Sequence, residues 1–306
     1  MDDKFDNINE ILQRETLIRE KLQELEKIFN LIPKDAELYL RRGTLYYKIG
    51  EYKKAIDDLT EAIELNPKML DAYKFRANIY NILRKYHKAI KDFTKALKLS
   101  PNDVDIYIER GIAYYANNEY NKAMADFIKA IELDPNNAEA YFGLGNIYKQ
   151  MKRYKNAISN YTKAIEIDPN FFEVYIIRGN TYGEIEEYDK AIEDYSKAIE
   201  INPEEPYGYI LRGVMYNELK QYGKAVEDYN KLIELDPENP DFYHYRGVAY
   251  YHLKEYEKAI DDFNKAIELN PEYPDVYEDR GILYQELGLE DKAQEDFEMY
   301  RKLTGE

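Results

Sequence analysis

The chain has 306 residues, no cysteine and no tryptophan, and its 60 acidic side chains against 43 Lys and Arg give a formal net charge of −17. Lack of cysteine excludes disulfides, thiolate nucleophiles and thiolate metal sites, and the acidic balance speaks against nucleic acid, whose phosphates need a basic track. No stretch is apolar enough to span a membrane or act as a signal peptide, so a cytoplasmic protein without membrane insertion is expected.

Residues 1–35 read as a degenerate capping half-repeat. Leu17, Ile18, Leu22, Leu25, Ile28, Phe29 and Ile32 recur at helical spacing and are expected to pack on the first full repeat. Residues 1–14 are either a further helix or a mobile extension. The segment ends at Pro33, the first of a ladder that continues at Pro67, Pro101, Pro135, Pro169, Pro203, Pro237 and Pro271, every interval being 34 residues. So strict a period marks one supersecondary unit copied end to end.

Counting Ala36 as position 1 gives eight copies: 36–69, 70–103, 104–137, 138–171, 172–205, 206–239, 240–273 and 274–306. Tyr fills position 4 from Tyr39 to Tyr277 and position 11 from Tyr46 to Tyr284. Position 8 is Gly except Ala77, position 20 is always Ala, position 27 is Ala except Leu232 and Tyr300, and position 24 is Leu59 and then only Phe or Tyr. Positions 4, 8 and 11 share one stripe of a first helix, and 20, 24 and 27 one stripe of a second. Small residues at 8, 20 and 27 let two antiparallel backbones approach, while the rings fill the volume around the contact. Tyr follows the inter-helix turn at position 17, from Tyr52 to Tyr256, and the proline stops each second helix.

Gly, Tyr, Ala, an aromatic, Ala and Pro at positions 8, 11, 20, 24, 27 and 32 of a 34-residue period resemble the tetratricopeptide repeat family over residues 36–306. Tyr replaces the family's usual Trp at position 4. The resemblance implies an all-α, right-handed superhelical α-solenoid of helix–turn–helix units whose first helices line a concave ligand face. It also implies a non-enzymatic protein–protein interaction scaffold.

Position 7 is Arg and position 23 is Asp in seven copies, among them Arg42 and Asp58, Arg178 and Asp194, Arg246 and Asp262. The fourth copy loses both together, as Leu144 and Asn160. Joint loss predicts an ion pair tying the first helix to the second within each repeat. In the last copy, Gln294 and Arg301 replace apolar residues where a ninth repeat would dock, so this repeat is expected to cap itself at a natural C-terminus.

In the family, positions 2, 5, 6, 9, 12 and 13 of the first helices line the ligand groove. Here position 9 carries Asn78, Asn146 and Asn180, whose carboxamides either hold a peptide backbone or are simply solvated. Ile108, Phe142, Ile176, Ile177, Ile210 and Leu211 form an apolar stripe. That stripe marks a partner site if it is exposed, and inter-helix packing if it is not. Charge differs between the halves. Repeats one to four set Arg41, Lys48, Lys74 and Lys149 against five acids. Repeats five to eight present Glu173, Glu184, Glu218, Asp241, Asp275, Glu278, Asp279 and Glu286 at these positions with no Lys or Arg. Position 2 acids also suit helix N-termini. His244, Tyr245 and Tyr251 give repeat seven the most unusual chemistry, read either as ligand contacts or as incidental.

Lys74 and Asn78 match the start of the family's carboxylate clamp for chaperone C-termini, but Glu109, Glu139 and Gly143 break its remaining positions, so the clamp is rejected. The three histidines are His87, His244 and His252. The last two stand about 12 Å apart by helical rise, too far for one metal ion. With no nucleophile–base arrangement or phosphate loop, no catalytic residue, cofactor or metal is expected. The expected partner is a basic, partly apolar peptide or helix. Self-assembly, with terminal helices entering another copy's groove, is the alternative.

Overall fold

The computed structural model describes residues 2–29 and 35–305, with side chains over 15–29 and 35–305. Ile32 and Pro33 lie outside the described residues. Seventeen α-helices and no strand occur among the described residues. α1 runs unbroken over Asp2–Phe29, so one long helix precedes the first repeat. Leu22 is its buried anchor; Ile18, Leu25 and Phe29 are half-buried, while Leu17 and Ile28 stay exposed. The Phe29 ring meets Tyr39 edge-on at 4.9 Å and lies 3.8 Å beneath the Arg42 guanidinium.

Each repeat is one helix pair. The first helices are α2 (Ala36–Lys48), α4 (Leu70–Ile82), α6 (Val104–Ala116), α8 (Ala138–Gln150), α10 (Phe172–Glu184), α12 (Pro206–Glu218), α14 (Pro240–His252) and α16 (Pro274–Glu286). The second helices are α3 (Tyr52–Leu65), α5 (Tyr86–Leu99), α7 (Tyr120–Leu133), α9 (Tyr154–Ile167), α11 (Tyr188–Ile201), α13 (Tyr222–Leu235), α15 (Tyr256–Leu269) and α17 (Glu290–Thr304).

Local chemistry sets these boundaries. First helices end in a left-handed residue at position 15: Gly50 and Gly288 at the two ends of the array, and six non-glycines from Arg84 (φ 55°) to Lys254 (φ 62°) between them. Its N–H and the next one turn back onto helix carbonyls, as in Arg84 to Asn81 and Lys85 to Tyr80, which satisfies the helix C-terminus. Second helices stop before the ladder proline. Asp35, Asp103, Asn137 and Asn239 then cap the next first helix through their side chains.

The core lies between paired helices. Phe93, Phe127, Tyr161, Tyr195, Tyr229 and Phe263, all at position 24, are at most 1% exposed. The tyrosine rings demand glycine at position 8 of their repeats, since a Cβ on Gly179 or Gly213 would stand 2.6 Å from the ring of Tyr195 or Tyr229, while Phe93 leaves room for Ala77.

The chain divides into two compact units, Met1–Lys152 and Arg153–Glu306. In the first, α1 packs on α2, the pairs α2–α3, α4–α5 and α6–α7 stack in order, and α8 lies on α7. In the second, α9 lies on α10, and the pairs α10–α11, α12–α13, α14–α15 and α16–α17 stack in order. This is an all-α solenoid architecture.

Candidate functional site

The repeated arginine belongs to the seam between helices. Arg178 donates to both carboxylate oxygens of Asp194 at 2.8 and 2.6 Å, Arg42 to Asp58 at 2.7 Å twice, and Arg246 to Asp262 at 2.7 and 2.6 Å. Arg76, Arg110, Arg212 and Arg280 hold their aspartates in the same bidentate way. A third contact, not anticipated from the Arg–Asp pattern, crosses between repeats. The free Nη1 reaches the second helix of the preceding repeat at position 25: Arg178 to Thr162 at 2.9 Å, Arg212 to Ser196 at 2.9 Å and Arg246 to Asn230 at 2.7 Å. One guanidinium therefore clasps two helices of its own repeat to one of its neighbour.

The signal for that contact was in the chain. Position 25 is Thr, Ser or Asn before every clasping arginine after the first repeat, and it is Ile128 before Leu144. In the fourth repeat Leu144 joins the apolar cluster around Phe127 and Ala140, and Asn160 donates to the Asn156 carbonyl of its own helix at 2.8 Å. Burial opposes the charge on Arg178, yet its bonds to Asp194 and that carboxylate's field lift its pKa above the usual value. Burial also raises the Asp194 pKa, and the Arg178 bonds only partly offset it. Desolvation thus opposes attraction at both ends of the pair, and losing one partner, which strands a buried charge, costs more than losing both.

The angular position of each residue decides which candidates reach the ligand face. At about 100° per residue, positions 2, 9 and 13 lie roughly opposite the 4–8–11 seam, whereas positions 5 and 12 lie on its flank, toward the next repeat.

In the first unit this corrects the apolar stripe. Ile108, at position 5, is 3% exposed and packs with Ala123 and Phe127; Phe142 is half-buried. Ile112, at position 9, and Ile82, at position 13, are the large apolar side chains exposed at groove positions, 46% and 48% exposed. Lys74 pairs with Asp103 at 3.2 Å, so its charge is held inside the fold. Asn78 and Asn146 are half-buried, and the Asn78 Oδ1 has no partner. Burial, then the like charges of Glu139 and Asp105, push the Glu109 carboxyl above its ordinary pKa. Beneath α1 an apolar pocket of about 430 Å³ is walled by Leu25, Ile28, Leu40, Leu45 and Phe75. Lys21 and Glu24 at its rim oppose each other in charge, and Arg41 is held by Glu37 at 3.3 Å.

In the second unit the same rule applies. Ile176 is 4% exposed and presents no surface to a ligand, while Ile210 is half-buried and packs on the cluster around Tyr229. Asn180 accepts a hydrogen bond from the Tyr195 hydroxyl at 2.7 Å, which engages its carboxamide oxygen. His244 is buried, with Nε2 2.7 Å from Asp279 and Nδ1 3.1 Å from the Tyr273 hydroxyl. Tyr245 is half-buried with its ring 5.7 Å from Tyr229. Tyr251 donates to Glu286 at 2.6 Å, and that bond, more than burial, pushes its pKa up to about 12. The polar atoms of His244 and Tyr251 and the ring of Tyr245 are thus engaged within the fold.

What the second unit does expose is different. Val214 and Ile282, both at position 9, are 37% and 39% exposed, with Val248 half-buried between them. Glu173, Glu184, Glu218, Asp275 and Glu286 are exposed, and Asp241, Glu278 and Asp279 half-buried. Helices α10, α12, α14 and α16 carry no lysine and one arginine each, and all four arginines are consumed by their clasps. Eight carboxylates thus stand on first helices with no uncommitted Lys or Arg among them.

A tetratricopeptide repeat model matches residues 36–69, 70–103, 138–171, 172–205 and 240–273, and further models of the repeat match 93–125, 111–152, 213–254 and 263–295. The chain belongs to the tetratricopeptide repeat family. Its repeats make it a protein-interaction scaffold, the general role of this family, whose members are generally non-enzymatic. No curated protein matches the chain. Among solved structures it is similar to YrrB, described as a TPR protein with an unusual peptide-binding site, at 28% identity and a TM-score of 0.52, covering 58% of this chain and 92% of that one. It is similar to MamA at 28% identity and a TM-score of 0.51, covering 55% and 92%. A tetratricopeptide repeat protein from Parabacteroides merdae shares the fold at 19% identity and a TM-score of 0.57, covering 85% and 98%. Among the described residues of this repeat protein, no helix is long and apolar enough to cross a membrane.

Proposed function

We propose that this repeat protein is a scaffold whose second unit binds a basic, partly apolar segment of another protein on the first-helix face of repeats five to eight. One observation carries the reading. Every arginine on those helices is committed to a clasp, which leaves eight carboxylates uncompensated by any Lys or Arg of the same helices. Complementary charge steers and orients a partner more than it supplies affinity. The apolar surface for docking comes from Val214, Val248 and Ile282 between the acidic rows. That YrrB is described as having a peptide-binding site supports a peptide as the ligand class.

Isothermal titration with two synthetic peptides of equal length tests the reading, one alternating lysine and leucine, the other glutamate and leucine. The lysine peptide is expected to bind and the glutamate peptide not to. Equal binding of both, or binding of the glutamate peptide alone, contradicts it.

A further inference from the structure

Position 24 is Tyr in repeats four, five and six, and each of these repeats carries Asn at position 9 or 12. Of the five repeats with Phe or Leu at position 24, only repeat two has asparagine there, as Asn78 and Asn81. The structure gives this pattern a physical basis. Tyr195 and Tyr229 are 1% exposed and pack against Gly179 and Gly213 of their own first helices. From there the Tyr195 hydroxyl donates to Asn180 Oδ1 at 2.7 Å, and Asn217 Nδ2 donates to the Tyr229 hydroxyl at 3.0 Å. Phe93 offers no hydroxyl in repeat two, and the buried Oδ1 atoms of Asn78 and Asn81 have no partner among the described residues.

The bond to Tyr195 settles which way the Asn180 carboxamide faces. Its 2.7 Å length is that of an O–H···O bond, whereas N–H···O bonds centre near about 2.9 Å. The hydroxyl has no other acceptor among the described residues, and a buried donor finds a partner as a rule. Burial raises the Tyr195 pKa, so the phenol keeps its proton to donate. With Oδ1 held, both Nδ2 protons are turned away from Tyr195. Asn180 makes no other hydrogen bond among the described residues and is half-buried at position 9, the row of Val214 and Ile282. Ionised carboxylates only accept, so the acidic rows have nothing to give a peptide carbonyl. Asn180 supplies that donor.

We propose that Tyr195 is a positioning residue of the ligand face: its hydroxyl holds the Asn180 carboxamide with Nδ2 outward, where it donates to a backbone carbonyl of the bound segment. The carbonyl rests on the proposed function. The hold on Asn180 does not. Carboxylates then meet the cationic side chains of the segment while Asn180 fixes its main chain, so register is set apart from charge. A carboxamide held before binding has less freedom to lose when the ligand arrives. Asn78, opposite a phenylalanine, lacks that hold.

A double-mutant cycle on the full chain, read by titration calorimetry with the lysine–leucine peptide, tests the proposal. Tyr195→Phe installs the ring of repeats two, three, seven and eight, and Asn180→Val the position 9 residue of repeats six and seven. Each single variant is expected to bind about fivefold more weakly, the net effect of one hydrogen bond, with its salt dependence unchanged. With Asn180→Val in place, adding Tyr195→Phe is expected to weaken binding no further. A Tyr195→Phe variant that binds like the native chain, or a loss that persists in the Asn180→Val background, overturns the proposal. Side-chain amide ¹H–¹⁵N spectra read the hold without ligand, and the Asn180 Nδ2 resonances are expected to move in Tyr195→Phe. If the native chain binds no peptide, the carbonyl assignment falls with the proposed function. Asn180 resonances that stay in place in Tyr195→Phe overturn the positioning as well.

Discussion

Each first helix has two faces that obey opposite rules. On the seam, copies agree: the clasping arginine bonds to its aspartate twice and, after the first repeat, reaches back to position 25 of the preceding second helix. On the opposite face, copies disagree, and some polar groups are left without such partners. Asn78 keeps a buried carbonyl oxygen unpaired, and Glu218 and Asp275 stand exposed with no cation against them among the described residues. A group that is fully satisfied inside every repeat has nothing left to offer a ligand. Binding capacity sits where the fold leaves charge and apolar surface unspent.

The sharpest way to break this comparison is to remove one clasp. Arg178→Leu strands the buried Asp194 and should cost about 3–5 kcal/mol of stability, read from denaturant melts, with peptide binding by the folded protein unchanged. Adding Asp194→Asn should return most of that loss, because the fourth repeat folds with Leu144 and Asn160 at the same positions. A double variant as unstable as the single one would show that the pair does not act as a unit.

The acidic face should respond the other way. Glu173→Gln, Glu218→Gln and Asp275→Asn together remove three exposed charges, worth about 0.2–1 kcal/mol each against a basic ligand. Affinity for the lysine–leucine peptide should fall by about tenfold while the melting temperature stays put. A stability loss without an affinity loss would place these residues on the wrong side of the comparison.

The smallest effect concerns the turn that both faces share. Lys220 holds φ at 56° where Gly50 and Gly288 sit elsewhere in the array. A left-handed backbone penalises a side chain, so Lys220→Gly should stabilise by about 0.5–1 kcal/mol once glycine's greater freedom in the unfolded chain is subtracted. A lower denaturation midpoint in this variant would contradict that account of the turn.

Much of the fold was legible because the period supplies a ruler. Helix pairs, their boundaries, the small residues at the seam and the Arg–Asp pairing all follow from which positions stay constant. The third arm of the clasp was also written in the chain, in the match between Ile128 and Leu144, but it crosses from one repeat to the next and is invisible to a reading confined to one copy. The apolar stripe went astray for a related reason. Position 5 belongs to the family's groove, yet a residue about 100° from the seam is covered once a neighbouring repeat stacks against it, which is how Ile108 and Ile176 come to be buried. His244 is a position 5 residue as well, and its partners Tyr273 and Asp279 lie 29 and 35 residues away, distances that no spacing rule within a helix connects.

The central claim is that uncompensated acid in repeats five to eight recruits a basic partner. Titration of the lysine–leucine peptide at low and high salt, into the native chain and into the triple Glu173→Gln, Glu218→Gln, Asp275→Asn variant, tests it most directly. Binding by the native chain should weaken steeply with salt, and the variant should be both weaker and less salt-sensitive. Affinity that is indifferent to salt, or identical in the two proteins, would contradict the claim.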